Sequence, residues 1–229
     1  MQITNDNFFE PVTETLLRAG IIVYRYERIQ CPEYDDLIEK IITASQTAKT
    51  PTFVQVSGIP GAGKSTFCKR VYQDSVLVQF DAIMAQIPTY MKDCERLGLV
   101  QAFAKWEMPA RVIGYEVLRR LIAKKCSFVL EHSGTNAAHL KMMNVLKNQG
   151  YTTRLDFLYC DVAEACRRVV EREKHIARHT PLALIQERSA TIMSYLEQYK
   201  ALADVVNVYD LTDVNNWVLK ERYQYGCRA

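Results

Sequence analysis

The fold of this chain is indicated most clearly by the segment Thr52-Phe-Val-Gln-Val-Ser-Gly58-Ile-Pro-Gly61-Ala-Gly63-Lys64-Ser65-Thr66. A β-prone, mostly apolar run leads into Gly-x-x-x-x-Gly-Lys-Ser, and a helical pattern follows directly. Glycines let such a loop aim several backbone N–H groups at one anion, and the N-terminus of the next helix adds positive potential. The order of strand, glycine-rich loop and helix predicts a P-loop that binds a nucleoside triphosphate.

The residues of the loop have separate predicted roles. Lys64 is expected to reach the terminal phosphates, and the Ser65 hydroxyl is placed to ligate Mg²⁺. The other residues of the predicted nucleotide site are Gly58, Gly61, Ala62, Gly63 and Thr66. ATP and Mg²⁺ are therefore the expected cofactors.

Length and composition indicate a soluble α/β protein. The chain has 229 residues, enough for one α/β domain with additions. Its net charge of +3 is too mild to argue for a nucleic-acid partner without a clustered basic face. Seven scattered cysteines without a C-x-x-C pair favour reduced thiols and a cytoplasmic location. No run has the length of a membrane span or the pattern of a secretory leader, so no membrane association is expected.

Strand and helix patterns alternate after the loop. Four further strands are predicted at 76–80, 127–131, 155–159 and 205–209, with helices between them. This alternation predicts a doubly wound, mainly parallel, five-stranded sheet with a helical lid. The expected divisions are an N-terminal accessory segment (1–30) with a strand at 21–26, the P-loop domain (31–212) and a C-terminal helical tail (213–229).

The carboxyl ends of these strands carry the candidate catalytic residues, because ligands of such sheets bind there. The chain has no Asn-Lys-x-Asp guanine signature and is too short for a ring ATPase, which leaves a small kinase. Asp81, directly after the second strand, is the candidate general base, with a helix N-cap as the alternative. Glu131 ends the third strand, where it would bind a metal-bound water, the acceptor or a structural partner. His132 and Ser133 are polar contacts at the same strand end.

Two sets of charged residues lie outside that edge. Glu116 shares a predicted helix with Arg111, Arg119 and Arg120, and this charged set reads as a solvated helix face. Arg172 and the nearby Arg178 flank a polar connection before Thr180-Pro181, which suits a lid that clamps the migrating phosphoryl group. Ordinary surface arginines are the alternative for that pair.

The ordered set of motifs resembles the zeta-toxin family of P-loop kinases over residues 34–212. The resemblance rests on the P-loop, Phe80-Asp81, the strand Phe-Val-Leu-Glu131-His-Ser-Gly, Glu171-Arg172 and Arg178-His-Thr-Pro. It implies ATP-dependent phosphorylation of a hydroxyl on a UDP-N-acetyl sugar such as UDP-N-acetylglucosamine. Lys64 and Asp81 would be catalytic, Glu116 and Ser133 would touch the sugar nucleotide together with Glu131 nearby, and Arg172 with Arg178 would clamp the phosphate. His132-Ser133 stands where the family has Gly-Thr.

Two other functions remain open at this point. One is a P-loop kinase for a different hydroxyl acceptor, namely a nucleoside, a polynucleotide 5′-hydroxyl or an antibiotic. The other is a nucleotide-binding effector without kinase turnover, whose residues 1–30 engage another chain. The resemblance also leaves room for an antitoxin or another protein partner, as in toxin–antitoxin pairs.

Overall fold

The computed structural model describes residues 9–175, 179–213 and 215–224. Its strands are β1 (Thr52–Ser57), β2 (Leu77–Gln79), β3 (Phe128–Glu131), β4 (Thr152–Tyr159), β5 (Val205–Asp210) and β6 (Val218–Gln224). They form one sheet in the order β2-β3-β1-β4-β5-β6, in which the first five strands are parallel and β6 is antiparallel to β5.

Helices precede β1 and fill the connections between successive strands from β1 to β5. They are α1 (Glu10–Arg18), α2 (Pro32–Ile42), α3 (Lys64–Val71), α4 (Phe80–Gln86), α5 (Pro88–Leu97), α6 (Leu99–Ala123), α7 (Ala137–Asn148), α8 (Val162–Glu173) and α9 (Leu182–Leu202). A short 3-10 turn spans Tyr26–Arg28. None of the helices in the described ranges is both long enough and apolar enough to cross a membrane.

The position of β1 in the sheet locates the ligand-binding edge. β1 lies between β3 and β4, with Val54 paired to Val129 on one side and to Arg154 on the other. The chain leaves β1 toward β2 on one side of the sheet and later crosses to β4 on the other side. The carboxyl end of β1 is thus a topological switch point, where parallel α/β sheets open a crevice for ligands.

The predicted strands have nearly continuous apolar sequences because the strands are buried. Every residue of β1 after Thr52 is buried, as expected for a parallel strand covered by helices on both faces. One contiguous core includes side chains from both helical layers and from the N-terminal part of the chain. Val12 and Leu16 of α1 are buried in that core, so the described part of the segment 1–30 packs against the rest of the fold.

Two predicted elements are wrong. The sheet has six strands rather than five, because β6 occupies the segment for which a helical tail was expected. Each residue of β6 is exposed, so the segment has no alternating apolar pattern, and its position follows from the open hydrogen-bonding edge of β5. Residues 21–25 form an irregular segment instead of a strand, because Ile21 and Ile22 are buried in the core without strand pairing.

Candidate active site

The loop between β1 and α3 has the geometry of an anion cradle. Gly61 and Gly63 adopt positive φ values of 86° and 92°, which L-residues rarely tolerate. A Cβ atom at Gly61 would also collide with the backbone of Ala165 in α8, so this position requires glycine. Ala62 is fully buried inside the loop and Thr66 is exposed on α3. The loop therefore brings backbone N–H groups together at the first turn of α3.

Lys64 lies over this loop. Its side chain is buried, and Nζ donates hydrogen bonds to the carbonyl oxygens of Gly58 (2.8 Å) and Ile59 (3.0 Å). These contacts hold the ammonium group on the cradle side of the loop. A phosphate entering the cradle would meet a positioned cation.

Three parallel strands bring an oxygen-rich cluster to the same edge. Ser65 Oγ donates to Glu131 Oε1 at 2.9 Å, and Gln79 Nε2 donates to the other carboxylate oxygen. Hydroxyl and carboxylate oxygens are the ligands that Mg²⁺ prefers, and Mg²⁺ usually takes only one or two protein ligands beside phosphates and water. This pair fits the ion, although the described part of the chain has no group of three or more His, Cys, Asp or Glu side chains able to hold a metal.

Asp81 lies in the first turn of α4, directly after β2. The N-cap position of α4 belongs to Gln79, and no side chain caps this helix. The N-cap alternative for Asp81 is therefore wrong. Its carboxylate is half-buried and lines a cleft of about 780 Å³ that also contains Lys64, Ser65 and Glu131. The structure thus brings the phosphate cradle, the oxygen cluster and Asp81 into one cavity.

Glu116 is not part of this cavity, contrary to its predicted contact with the acceptor, and it is not solvent-exposed. It is only 7% exposed, and its carboxylate accepts hydrogen bonds from Arg119 (2.7 Å) and Arg120 (2.8 Å). Arg120 also pairs with Asp35 of α2. The carboxylate is thus a structural link between α6 and α2.

The opposite face of α6 supplies the side chains that do line the cleft. Glu107 precedes Glu116 by two and a half helical turns, which points the two carboxylates in opposite directions. Phe103, Glu107, Ala110 and Arg111 line the cleft at i, i+4, i+7 and i+8 spacing. The sequence-based interpretation missed Glu107 and assigned Arg111 to a solvated face. These two charged residues interrupt the apolar stripe of α6, and this interruption is the sequence signal that could have identified them.

The segment after β3 forms one wall of the cleft. Ser57 Oγ donates to the carbonyl oxygen of Ser133, while Arg188 of α9 donates to Ser133 Oγ. Ser133 is buried and lines the cleft, and its contact with an acceptor stays a prediction. Arg188 is a cleft residue that the sequence did not indicate, because 55 residues separate it from Ser133.

His132 lines the same wall and stacks on His139 with ring centroids 3.9 Å apart. Its Nδ1 accepts a hydrogen bond from the backbone N–H of Gly134 at 3.1 Å. Burial, and then the neighbouring His139, lower the pKa of His132 well below its ordinary value. The imidazole is therefore neutral at physiological pH with its proton on Nε2.

Part of the predicted lid lines the cleft. Arg172 Nη2 donates to Thr180 Oγ1 at 2.7 Å, and the Thr180 N–H donates to Glu173 at 2.6 Å. Thr180 and Pro181 line the cleft, whereas Arg172 stands behind Thr180. Arg178 lies outside the described residues.

Comparisons with known proteins support the P-loop kinase fold. A family model described as Zeta toxin matches residues 35–221. A structure from the PezAT chromosomal toxin–antitoxin system of Streptococcus pneumoniae aligns with a TM-score of 0.65 at 16% identity, covering 84% of this chain and 81% of that chain. The AvrRxo1-ORF1:AvrRxo1-ORF2 complex with sulphate ions gives 0.65 at 11% identity, covering 86% and 71%.

The same AvrRxo1 pair with ATP aligns with a TM-score of 0.63 at 9% identity, covering 83% of this chain and 66% of that chain. Comparison with curated proteins gave no match. The identities are so low that the structural likenesses show the fold alone, while the family model covers most of the chain.

Proposed function

The chain belongs to the zeta toxin family, and we propose that it transfers the γ-phosphoryl group of ATP to a hydroxyl of a UDP-N-acetyl sugar. The observation that carries this proposal is the single cleft shared by Lys64, Ser65, Asp81 and Glu131. Phosphoryl transfer needs a phosphate cradle, charge neutralisation and a group that accepts the proton of the acceptor hydroxyl. Each of these requirements has a side chain in the cleft.

In the proposed reaction the acceptor oxygen attacks the γ-phosphorus. The bond from that phosphorus to the bridging oxygen of ADP breaks, and the hydroxyl proton passes to the Asp81 carboxylate. Lys64 and the loop amides hold the phosphates throughout. The products are ADP and a phosphorylated acceptor.

Ser65 and Glu131 are proposed as the residues that would hold Mg²⁺ beside the phosphates. When bound, the ion neutralises charge on the transferring phosphoryl group. Gln79 fixes the Glu131 carboxylate toward Ser65 by its hydrogen bond to the second oxygen. The carboxylate orientation is thus set before any ion arrives.

Glu131→Gln should raise the Mg²⁺ concentration needed for half-maximal turnover by about 10–100-fold. This is the usual loss of metal affinity when one supporting residue of a metal site is replaced. A neutral amide retains the shape of the side chain but removes the charge that attracts the ion. A Mg²⁺ titration of ATP turnover measures the effect, with Glu95→Gln, an exposed acid on α5, as the control. Identical Mg²⁺ dependence for Glu131→Gln and wild type would leave Glu131 a structural partner of Ser65.

Arg172 and Arg178 are proposed to position the transferring phosphoryl group. Replacing Arg172 and Arg178 together with Ala should lower turnover on the order of 10²-fold, because displacing a positioned group by about 1 Å can cost that much. The apparent affinity for ATP should change less than about tenfold, since the P-loop still holds the nucleotide. Arg167→Ala on the exposed side of α8 is the control. Near-normal turnover of the double variant would show that these two arginines are ordinary solvated side chains without a role in phosphoryl transfer.

The acceptor is tested by comparing ATP consumption with UDP-N-acetylglucosamine, uridine, a short RNA and no acceptor. The proposal expects the fastest reaction with the UDP sugar. Equal rates in all four mixtures would rule out this acceptor class and leave the alternatives of another hydroxyl or no kinase turnover.

The toxin–antitoxin neighbours support an antitoxin as a protein partner, and inhibition of turnover by a co-expressed antitoxin candidate would test that part.

A further inference from the structure

The main cleft has an apolar wall beside its polar floor. The side chains assigned to phosphoryl transfer come from the P-loop, from the end of β3 and from the first turn of α4, whereas the wall belongs to α4, α5, α6 and the start of α9. Most of the accessible surface inside the cleft is apolar. The side chains that form this apolar wall are Met84, Ala85, Tyr90, Met91, Phe103 and Leu184.

Part of the apolar wall is open to solvent. Met91 is 48% exposed, and Phe103 and Leu184 are only partly covered by the rest of the described chain. Single exposed apolar side chains are ordinary, but a group of them around one concave cavity is typical of a binding site. A ligand that covers this surface removes it from water, which favours binding.

The apolar wall begins beside the candidate general base. Asp81, Met84 and Ala85 share one face of α4 at i, i+3 and i+4 spacing. Met84 therefore lies one helical turn, about 5 Å along the axis, from Asp81. Phe103 has the same relation to Glu107 on α6. A molecule whose hydroxyl reaches Asp81 thus lies against the apolar wall, and this position assigns the wall to the acceptor and not to the nucleotide.

We propose that the apolar wall binds an apolar substituent of the acceptor, larger than an acetyl group and close to the hydroxyl that is phosphorylated. The inference rests on the proposed phosphotransferase function and adds a specificity determinant that uses no charge. The N-acyl group of an N-acetyl sugar ends in a single methyl group. A cleft of about 780 Å³ has the size of sites that hold drug-sized molecules, so it has room for a longer acyl chain or an aromatic group.

The binding test uses the neutral dye N-phenylnaphthylamine, which fluoresces strongly in apolar surroundings. The P-loop is first saturated with Mg²⁺ and a non-hydrolysable ATP analogue, and the dye is then titrated. Wild type should bind the dye, and UDP-N-hexanoylglucosamine should displace it. Met91→Ser should weaken dye binding about 3–10-fold, because a half-exposed methionine no longer buries its surface against the ligand. Met193→Ser on α9, where the methionine is 50% exposed and does not line the cleft, is the matched control and should bind the dye as wild type does.

A kinetic test measures the preference for acyl length. The value of kcat/KM is compared for UDP-glucosamine that carries an N-acetyl, N-butanoyl or N-hexanoyl group. Wild type should prefer the longer chains, by up to about fourfold for each further methylene that is buried. Met91→Ser should reduce this preference, and Met91→Leu should keep it, since leucine retains the apolar surface. Both variants should melt at the wild-type temperature without ligand, because the side chain is half-exposed.

The outcomes separate this inference from the proposed function. Failure of the ATP analogue to stabilise wild type would contradict the P-loop function and this inference with it. Dye binding that the acyl analogues displace, without turnover of any of them, would contradict the proposed reaction and support the apolar wall as a ligand site. No dye binding beside the ATP analogue, equal dye binding by wild type and Met91→Ser, or a preference for acetyl over both longer chains would overturn this inference alone.

Discussion

Asp81→Asn should lower the rate of phosphoryl transfer about 10²–10⁴-fold, the usual contribution of a positioned general base. The amide keeps the shape of the side chain and cannot accept the proton of the acceptor hydroxyl. Asp81 belongs to α4 and not to the loop that holds the nucleotide. The variant should therefore retain the melting-temperature increase that Mg-ATP gives wild type.

The control for this prediction is Asp74→Asn, which changes an exposed carboxylate on the surface between α3 and β2. Single-turnover rates at saturating ATP and acceptor measure the chemical step. Wild-type rates for Asp81→Asn would show that another group accepts the proton. Weakened ATP binding with a normal rate at saturating ATP would show that Asp81 organises the nucleotide site instead.

Lys64→Ala should abolish nucleotide-dependent thermal stabilisation. A ligand at about 100 times its dissociation constant stabilises a protein by about 2.7 kcal/mol, and this increment should vanish when the cation over the loop is lost. The side chain also bridges the carbonyl oxygens of Gly58 and Ile59, so its removal loosens the cradle itself. Both effects should lower the affinity for ATP.

Melting curves with and without Mg-ATP test this prediction. Lys49→Ala, an exposed lysine before β1, controls for the loss of a positive charge. An unchanged shift in Lys64→Ala would mean that ATP binds elsewhere.

The P-loop was predictable from sequence because its chemistry is local. Gly61, Lys64 and Ser65 are adjacent in the chain, and their roles follow from spacing between one strand and one helix. The position of Asp81 at the cleft was also predictable, since a residue at the carboxyl end of a parallel strand faces the ligand edge of the sheet; its role as general base stays a prediction. The structure adds that Asp81 and Glu131 share one cavity with the loop.

Glu116 and Arg188 show where the sequence is insufficient. Glu116 belongs to an ion-pair network that extends the buried face of α6. From its charge alone the side chain was predicted to be exposed to solvent, and from the family resemblance it was predicted to contact the substrate. The structure places Glu107 and Arg111 at the cleft, and in the sequence their interruption of the apolar stripe of α6 is the signal for that position. Arg188 reaches Ser133 across a long sequence separation, and no local pattern encodes such a contact.

The edge of the sheet was missed for a different reason. β6 is exposed along its whole length, so hydrophobic periodicity carries no signal there. Its pairing with β5 satisfies backbone groups, which the side-chain pattern does not report.

The most direct test of the phosphotransferase account follows the label of ATP that is radioactive in the γ-phosphate. The protein is incubated with Mg²⁺ and UDP-N-acetylglucosamine, and the products are separated from inorganic phosphate. If the protein is this phosphotransferase, label moves into the sugar nucleotide in proportion to the ADP formed, and Asp81→Asn and Lys64→Ala abolish or strongly slow this transfer. Label that appears only as inorganic phosphate, at one rate with and without the acceptor and in wild type and Asp81→Asn alike, would contradict it.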